Sequence, residues 1–143
     1  MPKRAFEADP SVLRRLREAV RDDLAGAGID DDALEDVILC VHEACMNAMQ
    51  HGRGRLHVGW AVAPGEVRVE VCDEGDGAPL PAADGVPDAG QQSGRGLFLI
   101  RRLTHRFETS LDGGARCLAF AVPLHAGTGR PGPLESAGFF SAN

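Results

Sequence analysis

The 143-residue sequence has no excess of basic residues, no cysteines at C-x-x-C spacing, and no apolar run approaching the roughly 18 residues of a membrane span. Each absence excludes a class. Fifteen Lys and Arg against twenty-one Asp and Glu give a net charge of −6, which argues against a broad surface for nucleic acid or anionic membrane and leaves room only for a small basic docking patch. Lys3 and Arg4 have no apolar stretch behind them, so neither export nor membrane insertion is signalled. Cys40, Cys45, Cys72 and Cys117 accordingly read as reduced, mostly buried thiols of a cytoplasmic protein. Internal repeats are lacking. A Walker loop is excluded because no glycine cluster carries its lysine, and a G-x-G-x-x-G fingerprint from Gly75 fails at Leu80. His42-Glu43 opens like H-E-x-x-H, but Met46 stands where the second histidine is needed. His42, His51, His57, His105 and His125 are scattered and do not have the spacing of a metal cage.

What is present suffices for one domain with a real core: 43% hydrophobic and 25% charged residues. An alternating run over residues 4–8 suits an edge strand, and Asp9-Pro10-Ser11 suits a helix start. Val12, Leu13, Leu16, Ala19, Val20 and Leu24 then recur at helical steps until Gly26 and Gly28. The acidic run Asp30-Asp31-Asp32 favours a second helix amino terminus, and Leu34, Val37, Ile38, Val41, Cys45 and Ala48 carry that helix to about Gly52. Residues 55–63 and 66–72 read as strands joined at Pro64-Gly65. Residues 75–93 are rich in Pro and Gly with hardly a large apolar side chain, the composition of a lid or linker. A short helix through Leu97, Phe98, Ile100 and Leu103 leads to strands 106–111 and 115–124 about Asp112-Gly113-Gly114. These elements divide the chain into a domain over 1–124 and a tail over 125–143, which is expected to be flexible, its Phe139-Phe140 being either a small docking element or part of a loose end.

Three clusters could carry chemistry. On the second helix, Glu43 and Asn47 lie four residues apart; counting from Val41 puts them about 160° and about 120° away, an acid and an amide on one accessible ridge. Such a carboxylate could take a proton from a nucleophile, and the amide oxygen could serve a hard cation such as Mg2+. At the end of a valine-rich strand, Asp73 could accept a bond from an exocyclic amine, with Gly75 and Gly77 permitting close approach of a planar ligand. Before the short helix, Ser93-Gly94-Arg95-Gly96-Leu97 offers unpaired amides of the kind that attract phosphate. Singly, these are also what a solvated helix face, an acidic turn and an ordinary loop-to-helix junction look like.

In order, however, Glu43-x-x-x-Asn47, Asp73-x-Gly75-x-Gly77 and Gly94-x-Gly96-Leu97 resemble the N, G1 and G2 boxes of the histidine kinase-like ATPase (GHKL) superfamily. The segment Glu43-Ala44-Cys45-Met46-Asn47-Ala48, followed by Gln50-His51, is similar to its anti-sigma-factor serine kinase branch, over about residues 5–124. The resemblance implies an α/β two-layer sandwich, with helices on one face of a mixed, mainly antiparallel sheet. It implies ATP and Mg2+, with Asn47 on the metal, Asp73 on the adenine amine, Gly75 and Gly77 at the nucleotide-facing turn, and Gly94, Arg95, Gly96 and Leu97 at the phosphates. Glu43 would be the catalytic base of a protein-serine kinase. The substrate implied is a serine on an anti-anti-sigma protein, with a sigma factor as second partner, a homodimeric state, and neither nucleic acid nor membrane bound directly. A non-catalytic ATP-binding regulator of the same partners is the alternative; simple ATP hydrolysis ranks third. One departure stands out: Gly114-Ala115-Arg116 replaces the Gly-Thr step common in the last hairpin, and Ala115 has no hydroxyl to join the adenine site. Weaker adenine affinity, or a different group in its place, would follow.

Overall fold

The computed structural model describes residues 2–51, 53–75, 95–112 and 115–124. The elements run β1 (Arg4–Phe6), α1 (Pro10–Ala25), α2 (Asp31–His51), β2 (Leu56–Ala63), β3 (Glu66–Cys72), α3 (Arg95–Leu103), β4 (Arg106–Asp112) and β5 (Ala115–Pro123). Both long helices begin as their capping residues dictate. The Asp9 carboxylate accepts from the Ser11 N–H at 2.9 Å with Pro10 opening the first turn, and Asp30 accepts from the Ala33 N–H at 3.0 Å. Asp31 and Asp32 add negative charge where the helix dipole is positive. After α1 the chain turns through Gly28, at φ +74°, a conformation that glycine adopts without strain.

The five strands form one sheet in the order β1-β2-β3-β5-β4, and every neighbouring pair is antiparallel. The helices cover one face, giving the expected two-layer α/β class. Alternation sorts the strands: Val58, Val71 and Leu118 share a rung, as do Trp60, Val69, Phe120 and Phe107. These rungs pack against Leu16, Val20 and Leu24 of α1, Val37, Val41 and Cys45 of α2, and Leu97 and Ile100 of α3. Phe120 is fully buried at the centre, and truncating such a side chain to alanine costs about 3–5 kcal/mol.

The opposite face carries small and charged side chains, among them Ala121, flanked in register by Arg68 and Arg106, and Ala119, flanked by Glu70 and Glu108. Glu66 organises one end of it. Only 2% exposed, Glu66 accepts from Arg68 Nε at 2.5 Å, pairs with His105 Nε2 at 2.7 Å, and accepts from Arg106 Nη2. This ties the β2–β3 hairpin to the start of β4.

Cysteine chemistry departs from the sequence expectation. Cys72 and Cys117 are directly opposed in the β3–β5 register, with Cα atoms 4.1 Å apart, and form a disulfide rather than two thiols. Opposition across a ladder brings residues 45 apart in sequence into contact, which spacing alone does not reveal. Cys40 and Cys45 are free and buried, as expected. Among the described residues, no helix is long and apolar enough to cross a membrane. The expected tail, with Phe139-Phe140, and the expected lid beyond Gly75 lie outside the described residues.

Candidate functional site

The two halves of the candidate site are built on α2 with α3, and on the paired ends of β3 and β5. On α2, Asn47 is 4% exposed and Glu43 is half-buried. The ridge expected to be accessible is therefore covered at Asn47, because helix counting about an isolated axis does not include the helices and strands that pack against α2. Glu43 meets the first turn of α3 directly: a Cβ built on Gly96 would stand 2.9 Å from Glu43 Oε1. The absence of a side chain on Gly96 lets the carboxylate lie this close without moving aside. The N-terminal amides of a helix lack intrahelical partners, so the start of α3 presents N–H donors next to this carboxylate. Leu97 is fully buried in the core, which leaves only its backbone N–H for a ligand.

Asp73 leaves the sheet one residue after β3. Its N–H donates to the Arg116 carbonyl at 3.0 Å, and the next N–H, of Glu74, donates to the Arg53 carbonyl at 2.8 Å. The turn is thus held from both sides. Glu74 also lies over Gly54, where an added Cβ would fall 2.2 Å from Oε1, and its carboxylate pairs with His57 Nε2 at 2.9 Å. That hydrogen bond, with one from the Arg55 backbone, holds the Glu74 carboxyl below the usual carboxylate range. Gly75 follows at φ +36°, a backbone conformation that glycine adopts without strain.

Continuing the alternation of Val69 and Val71, Asp73 belongs to the helix-covered face, as Arg116 does beyond Leu118 and Phe120. Both are buried, at 3% and 4% exposure, with Arg116 Nε 3.4 Å from Asp73 Oδ2. The other oxygen, Oδ1, is buried without a hydrogen-bond partner among the described residues. A buried acceptor left open is costly unless a ligand completes it, and a purine exocyclic amine is a donor of the right kind. The residues present thus fit an adenine nucleotide. Asn47 offers a buried amide oxygen of the kind a hard cation accepts, while no cluster of three or more His, Cys, Asp or Glu suited to a metal occurs among the described residues.

Of the residues singled out in the sequence, Glu43 and Gly96 are in contact, and Asn47, Asp73, Gly75 and Leu97 are placed as above. Gly77, Gly94 and the side chain of Arg95 lie outside the described residues. Sequence reasoning missed Arg116 as part of this site. Its signal was the alternation Arg116, Leu118, Phe120, Val122, which puts a guanidinium on the core side of β5.

The sequence matches the histidine kinase-like ATPase domain family over residues 6–121. Two relatives, both serine-protein kinases RsbW from Bacillus licheniformis, are 25% identical over 122 and 121 residues, 75% of this chain and 76% of theirs. The crystal structure of the RsbU and RsbW domains of a Mycobacterium tuberculosis protein is similar at a TM-score of 0.59 and 21% identity, covering 87% of this chain. This chain spans 33% of that one, and the likeness is one of fold. The chain belongs to the histidine kinase-like ATPase domain family, and within it resembles the anti-sigma-factor serine kinase branch.

Proposed function

We propose that the chain binds ATP with Mg2+, transfers the γ-phosphoryl group to a serine of an anti-anti-sigma protein, and sequesters a sigma factor when that antagonist is phosphorylated. The observation that carries the reading is the open acceptor Oδ1 of Asp73, buried on the helix-covered face at the end of β3. Glu43 against Gly96 at the start of α3 supports it. In this reading Asp73 accepts from the adenine amine, and the amides at the start of α3, including those of Gly96 and Leu97, hold phosphate oxygens. Asn47 supplies an oxygen ligand to Mg2+, which when bound neutralises phosphate charge. Glu43 accepts the serine hydroxyl proton as the serine oxygen bonds to the γ-phosphorus; the bond from that phosphorus to its β-bridging oxygen breaks, and ADP leaves with the electron pair. Such transfer depends on alignment and charge stabilisation more than on covalent chemistry, which suits a site whose acid sits in the packed interface of two helices.

The reading includes a homodimer in the cytoplasm. Its test is incubation of the full chain with γ-labelled ATP and the small serine-bearing antagonist proteins of the same organism. Label on an antagonist serine is expected. Binding of ATP without transfer would replace the kinase with a non-catalytic regulator, and label released only as phosphate would replace it with a hydrolase.

A further inference from the structure

We infer that Arg116 is a positioning residue for base recognition: it engages one oxygen of the Asp73 carboxylate and leaves the other as the single acceptor that meets the base. The role rests on Asp73 receiving a purine, as proposed above. The geometry is one-sided. Arg116 Nε faces Oδ2 at 3.4 Å as an ion pair without a hydrogen bond, while Oδ1 has no hydrogen-bond partner among the described residues. A guanidinium placed to stabilise the fold commonly grips both carboxylate oxygens in a fork; here one oxygen is set aside. The two residues are also fixed relative to each other through the backbone. The Asp73 N–H donates to the Arg116 carbonyl at 3.0 Å, and the neighbouring rung is closed by the Cys72–Cys117 disulfide. The guanidinium therefore works from a fixed base, and the carboxylate torsion is set by charge rather than by contact with ligand.

The consequence is specificity. A carboxylate held this way accepts one N–H of a 6-aminopurine, whereas a 6-oxopurine sets an oxygen lone pair against it. Without the cation the carboxylate loses both its compensating charge and its fixed torsion, and the distinction between the two bases should fade.

The test is the ratio of dissociation constants for inosine triphosphate and ATP, measured by calorimetry with Mg2+ on the full chain. The parent should prefer ATP by roughly 10- to 100-fold, the value of one hydrogen bond to a charged group. In Arg116→Met the ratio should fall to about threefold or less, and Arg116→Lys should regain part of it. A Met variant that keeps the parental ratio, even with both affinities lowered together, overturns the inference and makes Arg116 a structural support. If Arg116→Met fails to fold by circular dichroism, Arg116→Gln takes its place: ratios falling in the order parent, Lys, Gln support the role, and equal ratios overturn it. A parent that binds both nucleotides equally overturns the role of Arg116 alone. A parent that binds neither overturns the nucleotide reading and this role with it.

Discussion

Glu43 and Gly96 are in contact across the α2–α3 interface: a methyl group on Gly96 would lie 2.9 Å from Glu43 Oε1, but at an ordinary 3.5 Å from its Cβ and 3.6 Å from its carbonyl oxygen. The clash involves only the far end of a flexible side chain. Gly96→Ala should therefore fold with stability within about 1 kcal/mol of the parent, helped by the better helix propensity of alanine. Its displaced carboxylate should slow phosphoryl transfer by about 10-fold or more. Urea titration and single-turnover transfer measure the two effects separately.

Replacing the acid itself isolates its role. Glu43→Gln keeps the shape and should leave the ATP dissociation constant within about twofold while lowering transfer by roughly 10²- to 10⁴-fold, the usual worth of a positioned base. Equal rates in mutant and parent would remove Glu43 from the chemistry.

Asn47 is buried, and in the proposed reading its amide oxygen is a ligand of Mg2+. Asn47→Ala should weaken ATP binding by about 1–2 kcal/mol in the presence of Mg2+ and leave it unchanged when the metal is chelated. Paired calorimetric titrations show whether the loss depends on the metal.

Glu66 sets a pH dependence of stability. Burial pushes its carboxyl upward, but hydrogen bonds from Arg68, His105 and Arg106 together outweigh that and hold it below the ordinary value of 4.5. The unfolded chain then takes up the proton at higher pH than the folded one. The contribution of Glu66 is complete above pH 4.5 and is lost as pH falls through the lower folded value. Glu66→Gln should flatten this acid limb in denaturant titrations. Glu66→Ala, which removes the buried acceptor shared by Arg68, His105 and Arg106, should cost about 3–5 kcal/mol at neutral pH.

The cysteines give a count. Burial raises the Cys45 thiol to about 12, and burial with the nearby charges of Asp36 and Glu43 raises Cys40 to about 12. Neither should alkylate in the folded chain at pH 8. Mass spectrometry after unfolding with iodoacetamide should find two labels without reductant and four with it. Reduction should lower folding stability by about 2–4 kcal/mol, seen as a shift in urea midpoint.

The order and type of every element were legible because each has a plain local cause. Asp9-Pro10 and Asp30 cap α1 and α2, Pro64-Gly65 turns between β2 and β3, and the period changes from helical to alternating where the strands begin. Glu43, Asn47 and Asp73 were legible as residues of a spacing pattern. Their surroundings were not. The burial of Asn47 depends on tertiary packing around α2, and the Asp73–Arg116 pair and the Cys72–Cys117 bond depend on strand register, which no short window of sequence contains. Glu66 illustrates the same limit: only the return of β4 beside β5 brings His105 and Arg106 onto it.

On α2, Glu43 and Asn47 alternate with Ala44, Cys45 and Ala48, which are buried against the rest of the core. The same rod is thus keel and workbench. A guest gripping those two side chains would be riveted to the keel, so occupancy should raise the melting point of the whole described body instead of quieting one local segment.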